Sequence, residues 1–138
     1  MGADRGYVKS YKIEDAAGVG QFIAVVKGTA NGGCKKPAGA NAAGFLGFTV
    51  EAVGTQHKGV AVQKSGIGRA IAGGDIAYGD RLVIDGDTGK VKSEEAAIAG
   101  GAGTYAVFNV VGRAESSGVL NDVIPVWIEP ESVTRAAS

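Results

Sequence analysis

Corners that set glycine beside aspartate, each followed by an apolar run, recur between Gly73 and Glu129 and constrain this chain more than any other feature. The pattern runs Gly74-Asp75-Ile76-Ala77-Tyr78-Gly79-Asp80-Arg81-Leu82-Val83-Ile84-Asp85-Gly86, continues with Thr88-Gly89-Lys90-Val91, and ends in Asp122-Val123-Ile124-Pro125-Val126-Trp127-Ile128. Aspartate hydrogen-bonds nearby backbone in turns, and glycine reaches positive φ without steric cost, so such corners separate short strands. With 24 glycines, three prolines and no collagen period in 138 residues, the same reading extends to the whole chain. The expected fold class is all-β: a single compact β-barrel or sandwich of short antiparallel strands with glycine-rich turns. An extended N-terminal arm and at most one short helix complete it.

The expected organisation is an N-terminal arm over residues 1–13, a barrel or sandwich domain over 14–130, and a polar C-terminal tail over 131–138. The stretch Tyr7–Ile13 alternates well enough for one strand, and Gln21–Lys27 is a β-branched run bounded by glycine. Gly28–Ala43 reads as a long loop of glycine, alanine, asparagine and lysine. Gly44–Val53 and Val60–Gln63 read as a hairpin, Gly66–Ile71 as another extended piece, and Arg81–Ile84 and Lys90–Lys92 as strands flanking Asp85–Gly89. Ser93–Ala99, capped by Ser93 and opened by two glutamates, is the one candidate helix. Thr104–Glu115 is apolar on both faces, as a central strand would be. In Val123–Glu129, Ile124, Val126 and Ile128 share one face and Val123, Pro125 and Trp127 the other. Pro125 cannot donate a ladder hydrogen bond, which predicts that this strand is an edge or the end of one.

The chemistry-bearing residues do not assemble into a reaction. His57 is the single histidine and Cys34 the single cysteine. A disulfide framework is therefore excluded, and the cysteine count fits synthesis in a reducing cytoplasm. Cys34 beside Lys35 and Lys36 invites a lowered thiol pKa, but no base or resolving cysteine accompanies it. Asp75, Asp80, Asp85 and Asp87 read as turn formers, because no glutamate closes a calcium loop after Asp85. Gly66-Ile67-Gly68 lacks the third glycine and the helix of a dinucleotide fingerprint, and there is no phosphate-binding loop. The expectation is no enzyme, with no catalytic residue, cofactor or metal. Charge is balanced at 14 basic against 14 acidic residues, which removes any overall pull toward nucleic acid or an anionic membrane. No apolar run approaches a bilayer span, and no signal peptide opens the sequence. Trp127, with Val123 and Pro125, needs either a second sheet layer or another subunit to cover it, which makes these three a candidate subunit interface.

From about Tyr11 to Pro130 the chain resembles the small capsid decoration (cement) proteins of tailed bacteriophages. More narrowly, it is similar to a glycine/alanine-rich β family once mislabelled as recombinases. The stretches that carry the likeness are Gly59-Val60-Ala61-Val62-Gln63, Ala72-Gly73-Gly74-Asp75-Ile76-Ala77-Tyr78-Gly79-Asp80-Arg81-Leu82-Val83, Asp87-Thr88-Gly89-Lys90-Val91, Val110-Val111-Gly112-Arg113-Ala114 and Asp122-Val123-Ile124-Pro125-Val126. The resemblance implies a structural virion protein, made in the bacterial host cytoplasm, that binds the outer surface of the assembled head and stabilises contacts between major capsid proteins. Its implied partners are the major capsid protein and copies of itself, as a homo-oligomer and commonly a trimer, with neither nucleic acid nor membrane. An N-terminal arm could add a strand to a capsid sheet edge, with Tyr7, Val8, Tyr11 and Ile13 as the capsid-binding residues. The competing reading is a carbohydrate-binding or adhesion module of a phage head or tail fibre. It is weakened by the shortage of aromatic residues free to form a sugar platform.

Overall fold

The computed structural model describes residues 6–94 and 107–134 and places ten strands among them. The first five are β1 (Val8–Ile13), β2 (Ala24–Lys27), β3 (Gly33–Lys35), β4 (Phe45–Thr49) and β5 (Gly59–Gln63). They close a barrel in the order β1-β3-β2-β4-β5. The others are β6 (Ile67–Ile71), β7 (Arg81–Ile84), β8 (Val91–Ser93), β9 (Val107–Ala114) and β10 (Val123–Thr134), which form a sheet in the order β6-β10-β9-β7-β8. The all-β fold class is as expected, with barrel and sheet both present. Ser93 closes β8, and the helix expected over Ser93–Ala99 lies outside the described residues from residue 95 onward.

Alternation along β2 explains how barrel and sheet join. Val25 points into the barrel interior with Tyr11, Ile13, Cys34, Val60 and Val62. Its neighbours Ala24 and Val26 point the other way and pack, with Phe48 of β4, against Leu82, Ile84, Val111, Ile124 and Val126 of the sheet. Period-two alternation thus lets one strand bury both of its faces. The β7–β8 turn docks on the same strand. Gly89 has φ +77°, its carbonyl accepts from Ala24 N at 2.9 Å, and a Cβ there would sit 2.3 Å from Ile23 Cγ2. Glycine is required at that corner by both conformation and space. The sheet nearly closes on itself as well, since Val91 of edge strand β8 bridges to Ala72 just past β6.

Three sequence expectations change. The Gly28–Ala43 loop contains β3, which pairs parallel with β1 and antiparallel with β2 and so seals the barrel. A three-residue strand is too short to show an alternating pattern, which hides it in sequence. Asn41 then pins the remainder of that segment to the sheet. Its side-chain amide donates to Val107 O at 2.9 Å, Asn109 N donates to its Oδ1 at 2.8 Å, and its own N–H donates to Ile84 O at 2.8 Å. Second, β10 is a central strand, flanked by β6 and β9. Pro125 is tolerated because its carbonyl faces Glu115, one residue past the end of β9, so its missing N–H falls where the ladder has already stopped. Third, β10 runs on to Thr134, so residues 131–134 of the expected tail are strand, re-registered by a bulge between Ile128 and Glu131 that also accommodates Pro130.

The shared core makes two substitutions informative. Phe48 is buried in the seam, and Phe48→Ala should cost about 3–5 kcal/mol in urea unfolding. Gly89→Ala should cost about 2 kcal/mol or more through left-handed strain and overlap with Ile23. In both variants barrel and sheet should unfold in one transition, which far-ultraviolet circular dichroism and Trp127 fluorescence would report at the same midpoint.

Candidate interaction surface

The residues predicted to bind partners fall into two environments. In β1, Tyr11 and Ile13 are buried in the barrel core, whereas Tyr7 and Val8 are exposed, at 61% and 48%. Strand β1 pairs with β5 along Val8–Lys12 and with β3 at Lys12 and Ile13. The stretch read as an arm over residues 1–13 is therefore a barrel strand from Val8 onward. Tyr11 and Ile13 are committed to the interior because their apolar area alternates onto the same face as Val60 and Val62. A Cβ at Gly6 would overlap the Ser65 carbonyl, and Tyr7 N donates to Ser65 Oγ at 2.8 Å, so the chain is fixed from Gly6 on.

Val123, Pro125 and Trp127 share the outward face of β10, as the alternation predicts. Val123 and Trp127 are 46% and 43% exposed, so no second layer among the described residues covers them. A row crosses the sheet at Trp127: Ile67 of β6, Trp127, Arg113 of β9 and Arg81 of β7 lie side by side on this face. Arg113 is drawn to Glu129 and Arg81 to Glu131, each at 3.9 Å, which relieves the like-charge pairing of the two arginines. Ser65 is two residues from Ile67, so the exposed Tyr7 end of β1 and the Trp127 row meet at the barrel–sheet connection. Sequence alone placed these residues in separate groups. Only the pairing of Trp127 with Ile67 brings them together.

A second feature, which sequence reasoning missed, is a cleft of about 370 Å³ on the barrel. It lies between the β2–β3 turn (Thr29, Asn31) and the β4–β5 loop (Gln56, His57), next to Lys12 and Glu14 of β1 and its end. Glu14 organises it. Its two carboxylate oxygens accept from Thr29 N at 2.9 Å and Ala30 N at 3.0 Å, and these backbone donors hold its pKa below the ordinary 4.5. Gln56 donates from Nε2 to the Glu14 carbonyl at 3.0 Å. His57 takes a left-handed backbone, φ 66°, and bonds to Ile13 O. Next in the chain to Gly33 of the cleft lining, Cys34 is fully buried in the barrel core, and burial, reinforced by the Asp15 and Glu14 carboxylates, pushes its thiol up to about 11. The thiolate that Lys35 and Lys36 suggested does not form, because desolvation outweighs the neighbouring cations. Asp80 and Asp122 act as turn formers, accepting from Ala77 N at 2.9 Å and Val119 N at 3.0 Å.

Two measurements follow from these groups. Ellman's reagent should leave native protein unlabelled at neutral pH and titrate the single cysteine after denaturation; rapid labelling of native protein would contradict the buried placement. The folded-state pKa of Glu14 is depressed, so its stabilisation is complete above the unfolded value and is lost as pH falls through the folded one. The stability difference between wild type and Glu14→Gln should therefore shrink as pH falls below about 4.5. A difference that stays constant over this range would contradict the carboxylate's role.

Neither any family model nor any curated protein matches this sequence. Among solved structures, the chain is similar to the head fiber gp8.5 N base of bacteriophage phi29, with a TM-score of 0.65 and 16% identity over 94% of this chain and 100% of that one. At that identity the likeness is one of fold, and it spans barrel and sheet together.

Proposed function

We propose that this chain is a structural protein of a bacteriophage head that binds the outer surface of the assembled shell. The observation that carries the reading is the full-length likeness to the head fiber base: all of that chain and 94% of this one superpose, so the two share one architecture from end to end. The sequence resemblance to capsid decoration proteins points to the same particle. In this reading the protein is a cement. It contacts neighbouring major capsid proteins, adds binding free energy only to the assembled state, and so raises its stability. It does no catalysis, and it self-associates through the Trp127 face of β10, where a large half-exposed aromatic flanked by Ile67 and Arg113 has the composition of an interface anchor. Production in the host cytoplasm before attachment belongs to the same proposal. The phi29 likeness favours one alternative, the base of a head fibre, in which the shell contact is the same and a further structure is carried on top.

Heads assembled without this chain provide the test. Added protein should co-sediment with them at fixed stoichiometry and raise their melting temperature. Co-sedimentation without any gain in heat resistance would favour a fibre base over a cement, and failure to co-sediment would remove both. Trp127→Ala should change monomer stability by only about 1 kcal/mol, because the side chain is half exposed. Light scattering should show it shifting the protein from oligomer toward the 13.8 kDa monomer. An unchanged mass would place the self-contact elsewhere.

A further inference from the structure

The neutral chain is electrically polarised. Residues 6–66, the barrel, hold seven lysines against three carboxylates, a net +4. The described residues of the sheet, 67–94 and 107–134, hold five basic against nine acidic groups, a net −4. Hydrogen bonding sharpens the contrast. All three barrel carboxylates accept from backbone rather than from lysine: Glu14 from Thr29 and Ala30, Asp15 from Lys36 N at 2.8 Å, and Glu51 from Ala61 N at 3.3 Å. The ion pairs among the described residues, Arg81–Glu131, Lys92–Asp85 and Arg113–Glu129, all lie in the sheet. Among the described residues no barrel lysine is therefore in an ion pair as close as those of the sheet, and the barrel keeps a surplus of four positive charges.

We infer that the barrel end carrying the Lys12–His57 cleft is the docking face, and that its partner is an acidic protein surface that meets the barrel's surplus of lysine. The topology locates the site independently. With β1 parallel to β3, the order β1-β3-β2-β4-β5 is the connectivity of the five-stranded OB Greek-key barrel, circularly permuted. In that barrel ligands sit on the face of the second and third strands, between the first–second and fourth–fifth loops. Those elements correspond here to β5, β1, the β4–β5 loop and the β2–β3 turn, and all but β5 line the cleft.

Fold gives the place and side chains give the ligand class. Single-stranded nucleic acid and sugars both favour broad stacking platforms, and the cleft wall has no Phe, Tyr or Trp, only the small ring of His57. Tyr11, the nearest candidate by sequence, is buried, with Lys9 and Lys64 ammonium groups 5.3 and 5.1 Å from its ring centre. An acidic sheet on the same small molecule would also repel a long polyanion, whereas a shell patch need meet only the barrel. Barrel-to-sheet docking between copies would satisfy charge too, but such a head-to-tail contact runs on into filaments unless it closes into a ring.

This inference rests on the head-surface reading, and one series separates the two. Wild type, Lys12→Glu/Lys58→Glu and the sheet control Asp87→Lys are bound to heads assembled without the chain, at about 50 and 500 mM NaCl, with matched thermal melts showing that all three are folded. Affinity should fall at least about tenfold for the double variant and about tenfold with salt for wild type, while Asp87→Lys stays within about twofold. If wild type fails to bind at low salt, the head-surface reading itself falls. If wild type binds but the double variant binds equally well, or only the sheet control loses affinity, the docking face is overturned and the head-surface reading stands. Lysine-dependent retention of a 30-nucleotide DNA by wild type without head binding, or a double variant that loses self-association and still binds heads, would equally overturn it.

Discussion

A four-residue strand buried on both sides fixes the architecture. Val25 completes the barrel interior, while Ala24 and Val26 complete the core beneath the sheet, so neither core is whole without β2. Two further contacts converge on the same seam: the Gly89 corner lies against Ala24, and Asn41 ties the segment after β3 to β7 and β9. Because hydrophobic burial is the dominant favourable term in folding, the outer faces left over are determined by what this seam consumes. They are the Trp127 row on the sheet and the Glu14-braced cleft on the lysine-rich barrel.

Much of this was legible in sequence wherever the period was long enough to read. Glycine-aspartate corners announced β7, β8 and their turn, and the alternation of Ile124, Val126 and Ile128 set the inward face of β10 before its neighbours were known. The arm was misread for a physical reason. Tyr11 and Ile13 sit on either side of Lys12 in a polar stretch, and only closure of the barrel shows that their face is the interior. The edge position assigned from Pro125 failed for a related reason. A missing donor matters only if a partner carbonyl faces it, and strand lengths decide that, not composition. β3 and the Asn41 latch were invisible because a three-residue strand and a single asparagine carry no periodic signal.

The surface chemistry was the least legible part. Counting charges over the whole chain gives zero, yet the two halves differ in sign, and the difference grows once each carboxylate is followed to its partner. A carboxylate that accepts backbone N–H groups is held in place by them, so local hydrogen bonding decides where its charge sits relative to the lysines. Glu14 does both jobs at once: it braces the β2–β3 turn and shapes the wall of the cleft.

The polarity has an outcome beyond any single molecule. Attached through its barrel, each copy would hide its ammonium groups and turn aspartates and glutamates of the sheet toward solvent. A fully coated particle would then wear an anionic exterior, and two such particles would repel at distances within the ionic screening length. Under the proposed attachment, the asymmetry that would orient one subunit would also keep a crowded population of particles from clumping.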